Sequence, residues 1–315
     1  MCIRDRFNMS VGYDLEGIKL EKVDRFIEGM KDASAAPVYN ECRQWLLDNL
    51  DRFENLTKED VESISPEICN CATLSTLHGC PPQEIERIAS YLLTEKKVHT
   101  FIKCNPTLLG YEYARKLMDD MGYDYVAFGD FHFRDDLQYT DAVPMLQRLQ
   151  KLADEKGLEF GVKITNTFPV DVKQNELPSE EMYMSGKSLY ALSMSVAQKL
   201  AKDFDGKLRI SYSGGADYFN ITKIIDAGIW PVTMATTMLK PGGYERLEQI
   251  GQLFKAKEAA AFTGVSAEKV EAMVEAAKFD KHHIKAVKPL PSRKVKKPVP
   301  LTDCFIACLL YTSDA

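Results

Sequence analysis

Residues 208–239 read LRISYSGGADYFNITKIIDAGIWPVTMATTML, and the rest of the chain is organised around them. The β-rich run Leu208–Tyr212 reads as a short strand. Ser213-Gly214-Gly215 follows, and glycine, lacking a Cβ, lets the backbone turn tightly and approach a ligand. Asn220 is a candidate N-cap for a helix that ends near Gly228. Trp230–Met234 reads as the next buried strand, and Ala235-Thr236-Thr237 opens the next helix. Two strand ends are thus each followed by free backbone N–H groups and a helix start, which together attract an anion. In a (β/α)₈ barrel the loops after the last two strands hold a phosphate in this way. Any α/β chain carries glycine turns after strands, but two such ends in succession favour the anion site over that plainer reading.

The chain has 315 residues, enough for one large domain or two ordinary ones. A hydrophobic content of 45% with 27% charged residues matches a soluble globular protein rather than a disordered one. The net charge of −6 offers no basic surface for a nucleic-acid partner. No apolar run is long enough to span a bilayer, and the N-terminus lacks the apolar core of a secretory signal. Five His and eight scattered Cys in a mixed α/β chain point to a reducing, cytoplasmic setting rather than a disulfide framework.

Both ends break the pattern. Residues 1–6, MCIRDR, and 308–315, CLLYTSDA, have no structural logic and resemble translated sequencing-adapter read-through. With them set aside, the expectation is a protein cut at both ends, whose parent extends in each direction.

Between the ends, strands alternate with helices. Strands are expected at Phe7–Gly12, Glu67–Leu77, His99–Cys104, Tyr123–Phe128 and Leu158–Thr165, before the two already described. Helices are expected at Leu20–Met30, Asn40–Leu50, Gln83–Leu93, Tyr111–Met121, Asp141–Lys156 and Ser188–Asp203. Pro169–Met184 is a polar excursion too long for a routine loop, so it reads as a lid or insertion. About seven strands at this spacing mean βαβ units and a parallel sheet, and no Gly-x-Gly-x-x-Gly fingerprint of a dinucleotide fold is present. Polar residues recur at strand ends (Cys80, Lys103, Asn166, Gly214, Thr236), as on the catalytic face of a barrel. After Leu239 come helices at Tyr244–Lys257 and Ser266–Ala277, then a basic, proline-rich linker from Ala286 to Pro300.

A few positions are candidates for chemistry. Lys103 lies between apolar neighbours at a strand end, where an unpaired ammonium is costly. It either serves a ligand carbonyl or phosphate or makes a structural salt bridge. Cys80, ahead of two prolines, is a general acid, base or nucleophile, or else a small apolar filler. Cys69 and Cys71, two apart on the expected strand, share a face and read as core cysteines, because their spacing suits no metal knuckle. Asn166, between Thr165 and Thr167, offers both a donor and an acceptor to a heterocycle; Asn105 and Asn70 offer the same more weakly. His132, in GDFHFRDD, sits in a polar loop that reads as solvated or as a lid.

Seven stretches, among them STLHGCPP, FIKCNPTLLG, VKITNTFPV, MYMSGKSLYAL, RISYSGGADYF and WPVTMATTMLKPGGYERL, resemble the selenate reductase subunit YgfK family of iron–sulfur flavoproteins. The likeness covers nearly all of residues 7–307. More distantly, the barrel is similar to dihydroorotate dehydrogenase and to the pyrimidine-binding domain of dihydropyrimidine dehydrogenase. The resemblance implies an FMN-linked TIM barrel lacking its first strand or two. It also implies a role for each matched residue. Cys80 stands where that superfamily has its active-site Cys or Ser, although Thr76 replaces the usual Asn and Gly79 is extra. Lys103 matches a flavin-contacting Lys, and Asn166 an Asn after a later strand. Ser213, Gly214 and Gly215 with Ala235, Thr236 and Thr237 match the two FMN-phosphate loops. PLTDCFIA resembles the start of a ferredoxin-like segment, so Cys304 is the implied first ligand of a [4Fe-4S] cluster.

The expected organisation is a flavin barrel over 7–245, a helical extension over 246–285, the linker 286–300 and the start of a ferredoxin-like domain at 301–307. The expected function is an oxidoreductase that draws electrons from NAD(P)H through FAD and [4Fe-4S] centres and passes them by FMN to a small-molecule substrate, alongside partner reductase subunits. A pyrimidine or dihydroorotate dehydrogenase and a cofactor-free scaffold barrel are the alternatives. A Schiff-base enzyme using Lys103 is a third.

Overall fold

The computed structural model describes residues 8–12, 14–75, 79–173, 177–255 and 261–285. Thr76, His78, the linker 286–300, Cys304 and both anomalous ends lie outside the described residues. The contacts gather the chain into two units, one of residues 1–103 with 144–160, the other of residues 104–143 with 161–315.

The first unit holds β1 (Met9–Val11), α1 (Leu15–Ile18), α2 (Glu21–Lys31), α3 (Pro37–Asp48), α4 (Lys58–Glu62), β2 (Cys71–Leu74), α5 (Pro82–Thr94) and β3 (His99–Cys104). β1 pairs parallel with β2, and β2 with β3. The register sets Val11 opposite Leu74 and Leu74 opposite Ile102. Because side chains alternate across a strand, Val11, Leu74 and Ile102 share one buried face. Ser10, Thr73 and Phe101 share the other, with Lys103 one pleat further on. α5 buries Ile85, Ile88, Ala89 and Leu92, a helical stripe packed on β2, and begins at Pro82, whose fixed φ suits the first helical position. Residues 144–160 join this unit through the paired bonds of Arg148 to Glu86, both 2.7 Å, and through Thr100 N to Glu159 O at 3.1 Å.

The second unit holds α6 (Tyr111–Asp120), α7 (Phe131–Asp135) and the start of α8 (Tyr139–Lys156), which passes into the first unit at Pro144. It continues with β4 (Phe160–Ile164), β5 (Phe168–Asp171), β6 (Glu181–Met184), α9 (Tyr190–Asp203), β7 (Arg209–Ser213), α10 (Ile221–Asp226) and β8 (Val232–Thr233). α11 (Thr236–Leu239), α12 (Gly243–Phe254) and α13 (Ala267–Ala277) close it. β4, β7 and β8 pair in parallel, with Lys163 opposite Ser211 and Ser213 opposite Thr233. That face carries the polar Lys163, Ser211, Ser213 and Thr233, whereas Val162, Ile164, Ile210 and Tyr212 are fully buried on the other. α9 is buried nearly all round and packs against α13.

Parallel pairing of strands that alternate with helices follows the sequence reading; several boundaries do not. Tyr123–Phe128 is not a strand. An irregular segment buries Tyr123 and Phe128 instead and leaves Tyr125 exposed: Tyr123 N donates to Met118 O, Arg115 binds Val126 O, and Phe128 joins an edge-to-face cluster with Tyr111, Phe133 and Phe168. The expected strand Glu67–Leu77 begins only at Cys71, as β2, because Ile68 and Cys69 donate their N–H groups to Met30 O; Thr76 and Leu77 lie outside the described residues. Cys69 therefore precedes the strand rather than sharing a face of it with Cys71. Trp230–Met234 shrinks to Val232–Thr233, with a cis Trp230–Pro231 bond just before it. The excursion 169–184 is an antiparallel β5–β6 hairpin, and the loop around His132 is α7, whose His132 Nε2 lies 2.8 Å from Glu181 of that hairpin.

Candidate functional site

The ends of β4 and β7 are tied together. Thr165 N donates to Ser213 O at 2.5 Å, and Ser213 Oγ donates to Thr165 O at 2.9 Å. Thr165 Oγ1 and Ser193 Oγ of α9 share a 2.7 Å bond. Gly214 (φ +148°) and Gly215 (φ +78°) carry the chain away. A Cβ on Gly214 would meet the Ser193 hydroxyl, and one on Gly215 the carbonyl of Gly186, so both positions require glycine. Close packing of loop on loop thus accounts for the pair, and the space a Cβ would fill is already protein.

The backbone amides are another matter. The N–H groups of Gly214, Gly215 and Ala216 donate to no acceptor among the described residues, although the glycines are half-buried and Ala216 is buried. Orphaned N–H groups there are costly unless an acceptor arrives from outside. Three in succession suit an oxyanion such as a phosphate, so the residues fit that end of FMN. The expected helix start is not what supplies them. Asn220 sits before α10, but its side chain caps nothing: Nδ2 donates to Gly215 O at 2.9 Å and Oδ1 accepts from Asp217 N at 2.8 Å. The amide that was to cap a helix shapes the glycine loop instead.

Thr236 and Thr237 open the four-residue α11. Thr237 Oγ1 donates to Ala216 O at 3.3 Å, which places it against the same loop. Thr236 lies against Gly186 and 3.5 Å from Ser185 Oγ. Ala235 is only the residue before α11, with no side-chain bond to the loop. The structure thus brings Ser213–Gly215 together with Thr236–Thr237, and adds Ser185–Lys187, which the sequence reading gave no role. The signal was present: a Ser-Gly-Lys step directly before a long helical pattern. Beside the loops lies an open cavity of about 390 Å³, lined by Asp217, Tyr218, Thr237, Lys240, Gly242 and Arg246. The Arg246 guanidinium sits 5.5 Å from the Tyr218 ring centre, and the cavity's lining balances Lys240 and Arg246 against the carboxylates of Asp217 and Glu245.

Asn166 follows Thr165 directly and donates its backbone N–H to Cys104 O at 2.8 Å. Its Nδ2 donates to Asn105 Oδ1 at 2.7 Å, and Asn105 Nδ2 donates to Asp136 Oδ2 at 3.0 Å. Thr107 Oγ1 donates to that same carboxylate oxygen at 2.7 Å. Asn105 and Asp136 are thereby drawn into the site. Nothing in the local sequence showed Asp136, which sits 31 residues from Asn105.

Lys103 and Cys80 belong to the first unit. Lys103 is half-buried at the end of β3, and desolvation holds its ammonium below the usual lysine range. It makes no ion pair among the described residues, which sets aside the structural salt bridge for those residues. Burial, and after it the charge of Glu84, pushes the Cys80 thiol above its ordinary value, so at neutral pH it is a protonated thiol. A protonated thiol is the form a proton donor needs and the less reactive form of a nucleophile. Cys42 and Cys80 carry free thiols. Among the described helices, none is long and apolar enough to cross a membrane.

A family model described as "Oxidoreductase YgfK, N-terminal TIM-barrel domain" matches residues 4–285. The chain is 43% identical over 312 residues to "Putative oxidoreductase YgfK" of Escherichia coli strain K12, and equally to that of strain O157:H7. The alignment covers 96% of this chain but only 30% of each relative. Among solved structures, DHODH from Eimeria tenella in complex with ferulenol matches with a TM-score of 0.33 and 16% identity, over 63% of this chain and 61% of that one. The ligand-free form matches at 0.32 and 14%, over 64% and 62%. Both likenesses are faint, and neither fold nor function is taken from them.

Proposed function

From the premise that this chain belongs to the family of oxidoreductase YgfK N-terminal TIM-barrel domains, we propose that it is the FMN-binding barrel of an oxidoreductase acting on a small molecule. The observation that carries this reading is the row of unengaged N–H groups at Gly214, Gly215 and Ala216. FMN, when bound, supplies reversible one- and two-electron chemistry. Those amides, with the hydroxyls of Thr236 and Thr237, would hold its phosphate. Lys103 would hold a positive charge against the ring as it gains negative charge, an electrostatic role. Cys80, protonated at neutral pH, would donate a proton to the substrate. Asn166 would orient the ring or the substrate.

The curated relatives run well past this chain, which spans 30% of their length. In the longer protein, electrons would come from NAD(P)H through FAD and [4Fe-4S] centres, with Cys304 as a first cluster ligand and with partner reductase subunits. Free thiols and this cofactor set suit the reducing cytoplasm. A second reading, a cofactor-free scaffold barrel, draws support from one observation: protein atoms fill the space beside Gly214 and Gly215.

Denaturing the purified protein and identifying the released flavin by chromatography separates the two. FMN supports the barrel site; its absence leaves the scaffold. Lys103→Met then probes the mechanism. Removing a half-buried charge that has no carboxylate partner among the described residues relieves desolvation, so Tm should hold or rise while FMN affinity falls about tenfold or more. A lower Tm with FMN retained would make Lys103 structural.

A further inference from the structure

We propose that the buried side chains of Tyr212 and Asn220 are positioning residues: they set which way the Gly214 and Gly215 carbonyls face, and so turn the N–H groups that follow toward a bound phosphate. This rests on the reading above that the amide row holds a phosphate. The peptide between Gly214 and Gly215 has no Cβ on either side, so side-chain sterics do not choose between its two faces. The choice matters, because in a trans peptide the C=O and the N–H point in opposite directions. One face offers an anion a donor. The other offers it a carbonyl oxygen, which repels it.

Tyr212 makes the choice. Its side chain is fully buried, and its ring lies edge-to-face on Tyr190 with 6.3 Å between centres. Its hydroxyl donates to Gly214 O at 2.6 Å. Burial pushes the phenol well above its ordinary value, so the proton is retained and the donor is always present. With Gly214 O held by the phenol, the N–H of Gly215 is turned the other way. Asn220, 3% exposed, repeats the device one peptide on: Nδ2 donates to Gly215 O at 2.9 Å, which turns the N–H of Ala216 away from it. Asn220 is oriented in its turn by Asp217 N, which donates to Oδ1 at 2.8 Å. One peptide earlier, Ser213 O accepts from Thr165 N, which does the same for the N–H of Gly214. Three successive carbonyls are thus held by protein donors, and the three N–H groups that follow them are the ones left unengaged among the described residues. A flip of either glycine peptide would strip a buried donor of its acceptor, a cost that keeps the row facing outward before any ligand arrives.

Reconstitution of the purified, flavin-stripped protein with FMN and with riboflavin, which lacks the phosphate, tests this. The wild-type protein should bind FMN about tenfold or more tightly than riboflavin. Tyr212→Phe keeps the ring and removes the hydroxyl, so the ratio should fall toward unity while riboflavin binds as before. A merely structural role would weaken both flavins alike, and an unchanged ratio overturns the proposal. Should that variant fail to fold, Asn220→Leu, close in volume but unable to donate to Gly215 O, must lower the ratio in the same way; an unchanged ratio there overturns the proposal too. Titration with inorganic phosphate, read from the ¹⁵N–¹H resonances of Gly214, Gly215 and Ala216, needs no flavin. A shift at the Gly215 amide that is lost in Tyr212→Phe supports the proposal; the same shift in both proteins overturns it. Equal wild-type affinities for the two flavins, with no amide shift on adding phosphate, overturn it as well. Loss of the flavin reading would appear separately, as protein that takes up neither flavin while its glycine amides still respond to phosphate.

Discussion

Cys80 shows how environment decides a residue's chemistry. Its thiol was legible in the sequence as something reactive at a turn, but type alone leaves nucleophile, acid and filler open. Burial and Glu84 together favour the protonated form, which fits a donor. Cys80→Ala should therefore lower turnover by roughly 10²–10⁴, the usual worth of a positioned acid, with little change in flavin content. Alkylation of Cys80 by iodoacetamide should be slow at pH 7 and rise as pH passes its raised pKa; rapid labelling at pH 7 would refute the assignment. Lys103 was likewise visible as a charge in an apolar strand. Asp136 was not, because its partners are side chains 29 and 31 residues distant, and no local pattern encodes such a meeting.

Among elements, the strongly periodic ones were legible. α5, α9 and β3 lie within two residues of where the apolar spacing placed them. The errors share a cause: an apolar run reports burial, and burial does not require a ladder. Tyr123 and Phe128 are buried by contacts to helices and to aromatic rings, each edge-to-face pair adding about 0.5–1.5 kcal/mol beyond its area. The β7 loop carries the sharpest prediction at this scale. Gly214→Ala places a methyl on Ser193 Oγ at a φ that L residues avoid, so it should cost about 2–4 kcal/mol of stability. Any loss of FMN would then be mixed with unfolding. Thr237→Ala is the cleaner probe, since it removes only a 3.3 Å bond to Ala216 O and one hydroxyl facing the loop. Its Tm should stay within a few degrees of wild type in thermal melts while FMN binding weakens several-fold.

For the molecule as a whole, pH enters through His283. It is 2% exposed, stacks on Tyr190 at 4.1 Å between ring centres, and its Nδ1 finds no partner among the described residues. Desolvation pulls its pKa below 6.5, against the opposing pull of Asp217 and Asp280 and of a bond to the Lys187 backbone; His282 adds slightly to the lowering. The unfolded chain thus binds the proton more readily than the folded one. Stability should accordingly be full above about pH 6.5 and decline as pH falls below it, until the folded group also protonates. Thermal melts at pH 7.5 and 5.0 should show a lower Tm in acid, and His283→Phe should shrink the difference. A difference of the same size in the variant would place the effect elsewhere. The role of 278–285 was not legible beforehand, because its anchors, Tyr190 and Phe219, lie far back in the chain.

The division of the chain into 1–103 with 144–160 and 104–143 with 161–315 carries a consequence for biosynthesis. As the chain leaves the ribosome, the first hundred residues emerge before the segment that Arg148 and Glu159 fasten to them. Until residue 160 is clear of the exit tunnel, β1–β3 have no access to that partner and their apolar surface is open to chaperones. A stop or a nick near residue 143 would leave a nascent chain that cannot complete either unit, so quality control, rather than lost chemistry, would be the first to register damage there.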